Sequence, residues 1–270
     1  MFVGWIREAS LSTDLDTLSN DLLIDKNIVL NTFKENPSLS FGVYDKDKLS
    51  ALICAIEYDD SILINAFYYI DIVPQEIKTK LLNLLLTNIS NKEKTILFLA
   101  NKNELEIFNQ FGFNPYCNFL KATYKGGAVF NFTNATAKTI ISENYNPIVK
   151  KLDKDALNED RFDYIMKKLM KQSSLMLATQ FGYQHSYALD KSNIKISPFI
   201  MVDEAFTDAE KLLRAVIYHR GLKTIFSFIP KEVKEIVDLY ENYKFELKGG
   251  YSLLYKNKKP NINLESIYGF

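Results

Sequence analysis

Apolar and polar positions along this chain repeat with two periods, and the switches between them divide it into elements. Thr95 to Leu99 is a short apolar run of β-formers, long enough for one buried strand. Asn101 and Asn103 follow, a residue type that starts helices by accepting a hydrogen bond from an orphan N–H. Leu105, Ile107, Phe108 and Phe111 then recur at helical spacing. Gly112 suits the left-handed turn that ends a helix, and Phe113 folds back onto the core. The same order returns at 224–245, with Val233, Ile236, Val237 and Tyr240 on the helix and Phe245 after it.

The rest of the chain fits around these two stretches. The pattern predicts a strand over 3–9, helices near 14–24 and 27–35, and a meander of strands over 39–44, 49–58 and 62–70. Pro74 opens a helix with an apolar face of Ile77, Leu81, Leu82, Leu85 and Ile89, and 118–124 is a closing strand. Residues 125–134 contain Gly126-Gly127 and no period, and read as a connection. The order then repeats: a strand at 137–141, helices at 147–156 and 159–171, and strands at 174–181, 183–189 and 194–202. A helix at 208–219, a strand at 224–229, a helix at 231–243 and a strand at 251–256 complete it. Phe113 and Phe245 lie 132 positions apart, Leu82 and Leu213 131, and Thr95 and Thr224 129. An offset near half the chain implies two copies of one domain, 1–130 and 131–270. The expected class is α+β, each copy a mixed, mostly antiparallel sheet with helices on both faces.

Composition narrows the function. The 33 basic and 33 acidic residues cancel, and four of the basic ones are arginine, so there is no general bias toward nucleic acid or anionic membrane. The apolar runs are of strand length, so no membrane span is expected. Cys54 and Cys117 match no motif and read as free thiols of a cytoplasmic protein, Cys54 as a small core residue. The two histidines without paired cysteines give no metal site. Tyr183, His185 and Tyr187 alternate, which puts them on one half-exposed strand face.

The segment from Asn101 through Gly112-Phe113 resembles the Asn-x-x-Ala-x-x-x-Tyr-x-x-x-Gly-Phe stretch of the GNAT acyl-CoA N-acyltransferases. Leu152-Asp153 with Asp160-Arg161 resembles the entry segment of tandem GNAT proteins. The resemblance implies tandem GNAT-like domains, acetyl-CoA as acyl donor and a small-molecule or peptide amine as acceptor, with a homodimer among the expected assemblies. It also implies that the fourth and fifth strands splay, here near Phe67–Tyr69 and Phe98–Ala100, leaving backbone groups open to the coenzyme.

By that resemblance Phe67, Tyr68, Tyr69 and Asn101 contact the coenzyme, and Ile77, Lys78, Thr79 and Lys80 stand where its pyrophosphate clamp would be. The clamp's glycines are missing, and Glu76 in the first helical turn opposes an anion. The tyrosine that implies a general acid is Phe108 in the first half and Tyr240 in the second. Thr207 and Glu210 read as a capping box that closes the equivalent helix start in the second half. The resemblance therefore leads to an acyl-CoA-dependent N-acyltransferase working through the first half. The alternative is a non-catalytic GNAT-like protein that binds a small ligand or a protein partner. An aminoacyl transferase fed by transfer RNA needs a basic surface, which the neutral composition opposes.

Overall fold

The computed structural model describes residues 1–90, 92–127, 146–166 and 174–270. They form two compact units, Met1–Tyr116 with Ser252–Pro260, and Cys117–Tyr251 with Asn261–Phe270. The expected boundary at 130/131 and the strand at 137–141 lie outside the described residues, as does the end of the helix at 159–171.

Unit 1 carries strands β1 (Phe2–Trp5), β2 (Ser40–Asp45), β3 (Lys48–Glu57), β4 (Ser61–Tyr69) and β5 (Thr95–Asn101) in that spatial order. The first four are antiparallel, and β5 runs parallel to β4 after the helix α3 (Gln75–Asn88). The next neighbour of β5 is the later strand β11 (Glu246–Lys256). Its Ser252–Lys256 portion belongs to unit 1, although the sequence places it in the second half. Side-chain bonds to main-chain carbonyls hold it there, from Thr95 to Lys258 at 3.1 Å, Asn257 to Lys94 at 2.8 Å and Lys256 to Phe111 at 2.6 Å.

Helices cover both faces of this sheet, as the two-layered apolar pattern requires. On one face Leu81, Leu82 and Leu85 of α3 and Ile107 and Phe108 of α4 (Leu105–Gln110) pack on Phe41, Val43, Ala51, Ile53 and Ala55. On the other, Leu11, Leu15 and Leu18 of α1 (Leu11–Leu18) and Val29 and Phe33 of α2 (Lys26–Glu35) pack on Leu52, Cys54 and Ala66. Cys54 is fully buried, and burial pushes its thiol up to about 12.

The alternation along β4 breaks in its middle. Ile62 and Ile64 face α3, and so does Phe67, an odd position following even ones. The break is a β-bulge: Cys54 pairs with Ala66 and the next residue, Ala55, with Ile64, so Asn65 is the extra residue. One inserted residue flips every later side chain to the opposite face.

Unit 2 repeats this arrangement. Its strands are β6 (Asn114–Tyr124), most of which lies here, β7 (Leu175–Thr179), β8 (Gly182–Ala188), β9 (Asn193–Met201) and β10 (Thr224–Pro230). The order is β7-β8-β9-β10-β6, with β9 and β10 parallel. Helices α7 (Phe206–Arg220) and α8 (Lys234–Asn242) put Leu212, Leu213, Ile236 and Tyr240 on one face. The helix α5 (Asn146–Leu157) and the short α6 (Phe162–Tyr164) precede β7. Here too the alternation flips: Ile194 and Ile196 share a face with Phe199 and Met201, and the shift in register falls at Ser197-Pro198. Asn65 and Ser197 are 132 positions apart, the offset already seen between Phe113 and Phe245.

The entry motif of the second half has a physical basis. Arg161 grips the carboxylate of Asp153 through two nitrogens at 3.0 and 2.8 Å, and Tyr183 donates to the same carboxylate at 2.6 Å. Asp153 is 1% exposed, a buried charge that needs such partners. Two expectations are corrected. The Tyr183, His185 and Tyr187 face is fully buried, because α5 covers it, with His185 stacked on Tyr187 and its Nδ1 2.9 Å from the Ser197 carbonyl oxygen. There is no Thr207–Glu210 capping box: α7 starts at Phe206, and Glu210 instead accepts from the Tyr243 hydroxyl. One further strand, β12 (Ile267–Gly269), lies beyond the expected elements and pairs antiparallel with β9.

Candidate functional site

The pairing of β4 with β5 runs from Ser61–Thr95 to Ile64–Phe98 and ends there, while β4 continues to Tyr69 and β5 to Asn101. The strands therefore part at the bulge. The bulge is pinned from α2, where Asn65 Nδ2 donates to Thr32 Oγ1 at 2.8 Å. Beyond it, the facing backbones of Asn65–Tyr69 and Leu99–Asn101 are not paired with each other. Among the described residues no strand lies between them.

The side chains lining this gap divide by parity. Phe67 belongs to the core beneath, its ring 6.1 Å from Phe98 and 5.6 Å from Phe108, with Phe98 and Phe108 stacked at 4.2 Å. Tyr68 points to the opposite face, where its hydroxyl accepts from Asp25 N at 3.1 Å and burial drives its phenol far above its ordinary range. Tyr69 turns toward Asn101 and Glu104 at the far end of the gap.

This end holds the polar cluster. Glu104 is 4% exposed, and its Oε2 accepts from the Asn101 main-chain N–H at 2.8 Å. Asn101 Oδ1 accepts in turn from Asn103 N at 2.9 Å. The Glu104 N–H donates to the Asn101 carbonyl at 3.0 Å, so the two residues close a turn just ahead of α4. The Asn101 amide also bonds Tyr69 and Glu104, and the Tyr69 hydroxyl donates to the Glu104 carboxylate. The Lys78 ammonium lies 3.8 Å from the centre of the Tyr69 ring.

Burial raises the Glu104 carboxyl to about 7, against the opposing bonds from Asn101 and Tyr69 and the Lys78 charge. Burial, and after it the Glu104 charge, pushes the Tyr69 phenol up to about 12. A protonatable carboxyl near neutrality next to a phenol that keeps its proton is a group pair suited to moving protons.

The clamp positions do not provide what an anion needs. Ile77 and Lys78 N–H groups are taken by the Pro74 carbonyl at 3.0 and 3.1 Å, and Thr79 Oγ1 donates to the Gln75 carbonyl at 3.0 Å. Lys80 is exposed. Because Pro74 caps α3, its first turn begins at Gln75, two residues before the expected N–H groups. The Ile77 and Lys78 N–H groups are therefore spent inside the helix.

In unit 2 the corresponding strands also part, after Lys195–Phe226. Tyr240 is fully buried in the core of that unit, and its hydroxyl donates to the Tyr268 carbonyl at 2.7 Å. Burial holds its phenol far above the ordinary range. The structure thus brings Tyr69, Lys78 and Asn101 together in unit 1 and leaves Tyr240 in the core of unit 2. Glu104 was missed, although it stands where the resembled motif has alanine and three residues after Asn101. Among the described residues no cluster of three or more metal-binding side chains exists, and no helix is long and apolar enough to cross a membrane.

No family model matches the sequence, and neither does any curated protein. Solved structures do match in fold. A candidate acetyltransferase from Pyrococcus horikoshii aligns over 100% of this chain and 93% of its own, with a TM-score of 0.80 at 17% identity. A GCN5-related N-acetyltransferase from Sphaerobacter thermophilus aligns over 98% of both chains, with a TM-score of 0.64 at 13% identity. A tandem GNAT protein from the clavulanic acid biosynthesis pathway aligns over 94% of this chain and 98% of its own, with a TM-score of 0.65 at 10% identity. The fold is that of the tandem GNAT proteins.

Proposed function

We propose that the chain is an acyl-CoA-dependent N-acyltransferase that works through unit 1, with acetyl-CoA as donor and a small-molecule or peptide amine as acceptor. The observation that carries this reading is the joint position of the β4/β5 gap and the Tyr69–Asn101–Glu104 cluster at its end. The open backbone of Asn65–Tyr69 and Leu99–Asn101 suits the amide-bearing arm of the donor, which binds by strand-like hydrogen bonds. The acyl donor supplies a thioester carbonyl; the protein must then handle protons and orientation.

Glu104, ionised above its raised pKa, accepts through Tyr69 the proton that the amine gives up on attack. The carboxyl so protonated returns a proton along the same path to the departing sulfur. One buried group and one phenol thereby take over the role for which Phe108 has no donor. Lys78 over the Tyr69 ring keeps the phenol oriented and contributes positive charge near the mouth.

The start of α3 has no glycine cradle and carries Glu76, so the donor's pyrophosphate is held weakly. That feature favours a second reading, in which the same gap binds a ligand without phosphates and transfers nothing. An assay with acetyl-CoA and a panel of amines separates the two. The acyltransferase reading expects thiol release that depends on the amine and falls about 100- to 10,000-fold in Glu104→Gln. Turnover unchanged in that variant would remove Glu104 from the mechanism, and no turnover with any amine would favour the second reading.

A further inference from the structure

The gap of unit 2 contains a strand of this chain. Beyond the last β9–β10 pair, β12 lies along β9, with Ile267 opposite Ile200 and Gly269 opposite Phe199. On its other side the Phe270 N–H donates to the Phe228 carbonyl of β10 at 2.9 Å. The Tyr268 carbonyl accepts from the buried Tyr240 hydroxyl. The Tyr268 ring packs 5.4 Å from Phe199, and the Phe270 ring 5.5 Å from Phe119.

The residue between these two aromatics has to be small. A Cβ on Gly269 would stand 2.7 Å from Ser227 Oγ and 3.0 Å from Phe199 Cβ. Ser227 Oγ cannot yield freely, because it donates to the Ile196 carbonyl at 2.9 Å. The segment before the strand is anchored as well. Asn263 N–H donates to the Ala156 carbonyl at 2.8 Å, and Asn263 Nδ2 and Ser266 Oγ both donate to Asp203 Oδ1, at 2.9 and 2.8 Å. Asp203 follows β9 on the way to α7, the place corresponding to the start of α3 in unit 1.

We infer that the gap of unit 2 is a binding site for an extended peptide with a glycine between two aromatics, and that its ligand is the chain's own Asn261–Phe270 segment. Main-chain bonds to β9 and β10 give the affinity, as in strand addition to a sheet, and the Tyr268, Gly269 and Phe270 positions give selectivity. The site then accepts a strand where unit 1 has an open gap, and it consumes the Tyr240 hydroxyl in doing so. This inference stands on unit 2 alone and is independent of acyl transfer in unit 1.

The test uses the full chain with a protease site inserted between Pro260 and Asn261, cut after folding, so that unit 2 forms with its ligand in place. A fluorescent synthetic peptide of residues 261–270 is then added. The expected result is saturable entry of the labelled peptide into the cut protein but not into the uncut one, displaced by unlabelled peptide. The peptide with Gly269→Val should bind about 10- to 100-fold more weakly, the scale of overpacking a close-fitted site. Failure of the unaltered peptide to enter the cut protein, or equal binding by the Gly269→Val peptide, would overturn the inference.

Discussion

Replacing Glu104 with glutamine should make unit 1 more stable at alkaline pH while removing its proton-handling group. In the folded chain the carboxyl sits at about 7, against 4.5 for an unperturbed glutamate, because burial disfavours its charged form. Below pH 4.5 the group is protonated in folded and unfolded chains alike and costs nothing. As pH rises from there to 7, the unfolded chain releases its proton first, so folding loses stability; above 7 the cost is complete. A shift of this size amounts to about 3 kcal/mol. Glutamine keeps an oxygen for the Asn101 N–H but never ionises. The single tryptophan, Trp5, lies in unit 1 with its ring 4.5 Å from Phe41, so its fluorescence follows the unfolding of that unit. Urea denaturation should give similar midpoints for the two proteins near pH 4.5. At pH 8.5 the variant's midpoint should lie about 1 to 2 M higher, for a urea slope of about 2 kcal/mol/M. Parallel pH dependence in the two proteins would refute the assignment of a neutral-range pKa to Glu104.

Three further outcomes follow from the same geometry. The kcat/KM of acyl transfer should rise through pH about 7 as Glu104 ionises and then level off, and a profile flat between pH 6 and 8 would contradict its role as base. Acetyl-CoA should bind weakly, with a Kd of ~10 to ~1,000 µM by calorimetry, and Lys78→Glu with Lys80→Glu should abolish the heat, since two new acids join Glu76 near the start of α3. Tyr240→Phe should lower the protection of α8 amides from hydrogen exchange by about 1 kcal/mol, the net worth of its bond to the Tyr268 carbonyl, and leave the transfer rate within about 2-fold.

Most of the fold was legible because local rules and packing agree. Thr95–Leu99, Leu105–Phe111 and Gly112-Phe113 show a strand, a helix and its stop, and the offset near 130 predicts the second copy. What escaped depends on contacts remote in sequence. The flip of side chains at Asn65 looks like noise in a strand period until Cys54 and Ala55 are seen pairing with Ala66 and Ile64. Nothing local in the sequence marks Glu104; its burial beside Tyr69 comes from the fold. The Ile267–Gly269 strand is too short to announce itself, and its partners lie about 40 to 70 positions away in β9 and β10.

The central claim is that unit 1 takes the acyl donor in the β4/β5 gap. Hydrogen–deuterium exchange by mass spectrometry, with and without acetyl-CoA at about 5 mM, tests it directly. The account predicts new protection in peptides covering Asn65–Tyr69 and Leu99–Asn101, with β9 and β10 of unit 2 unchanged. Protection appearing at Phe199–Met201 instead, or none in either unit, would contradict it.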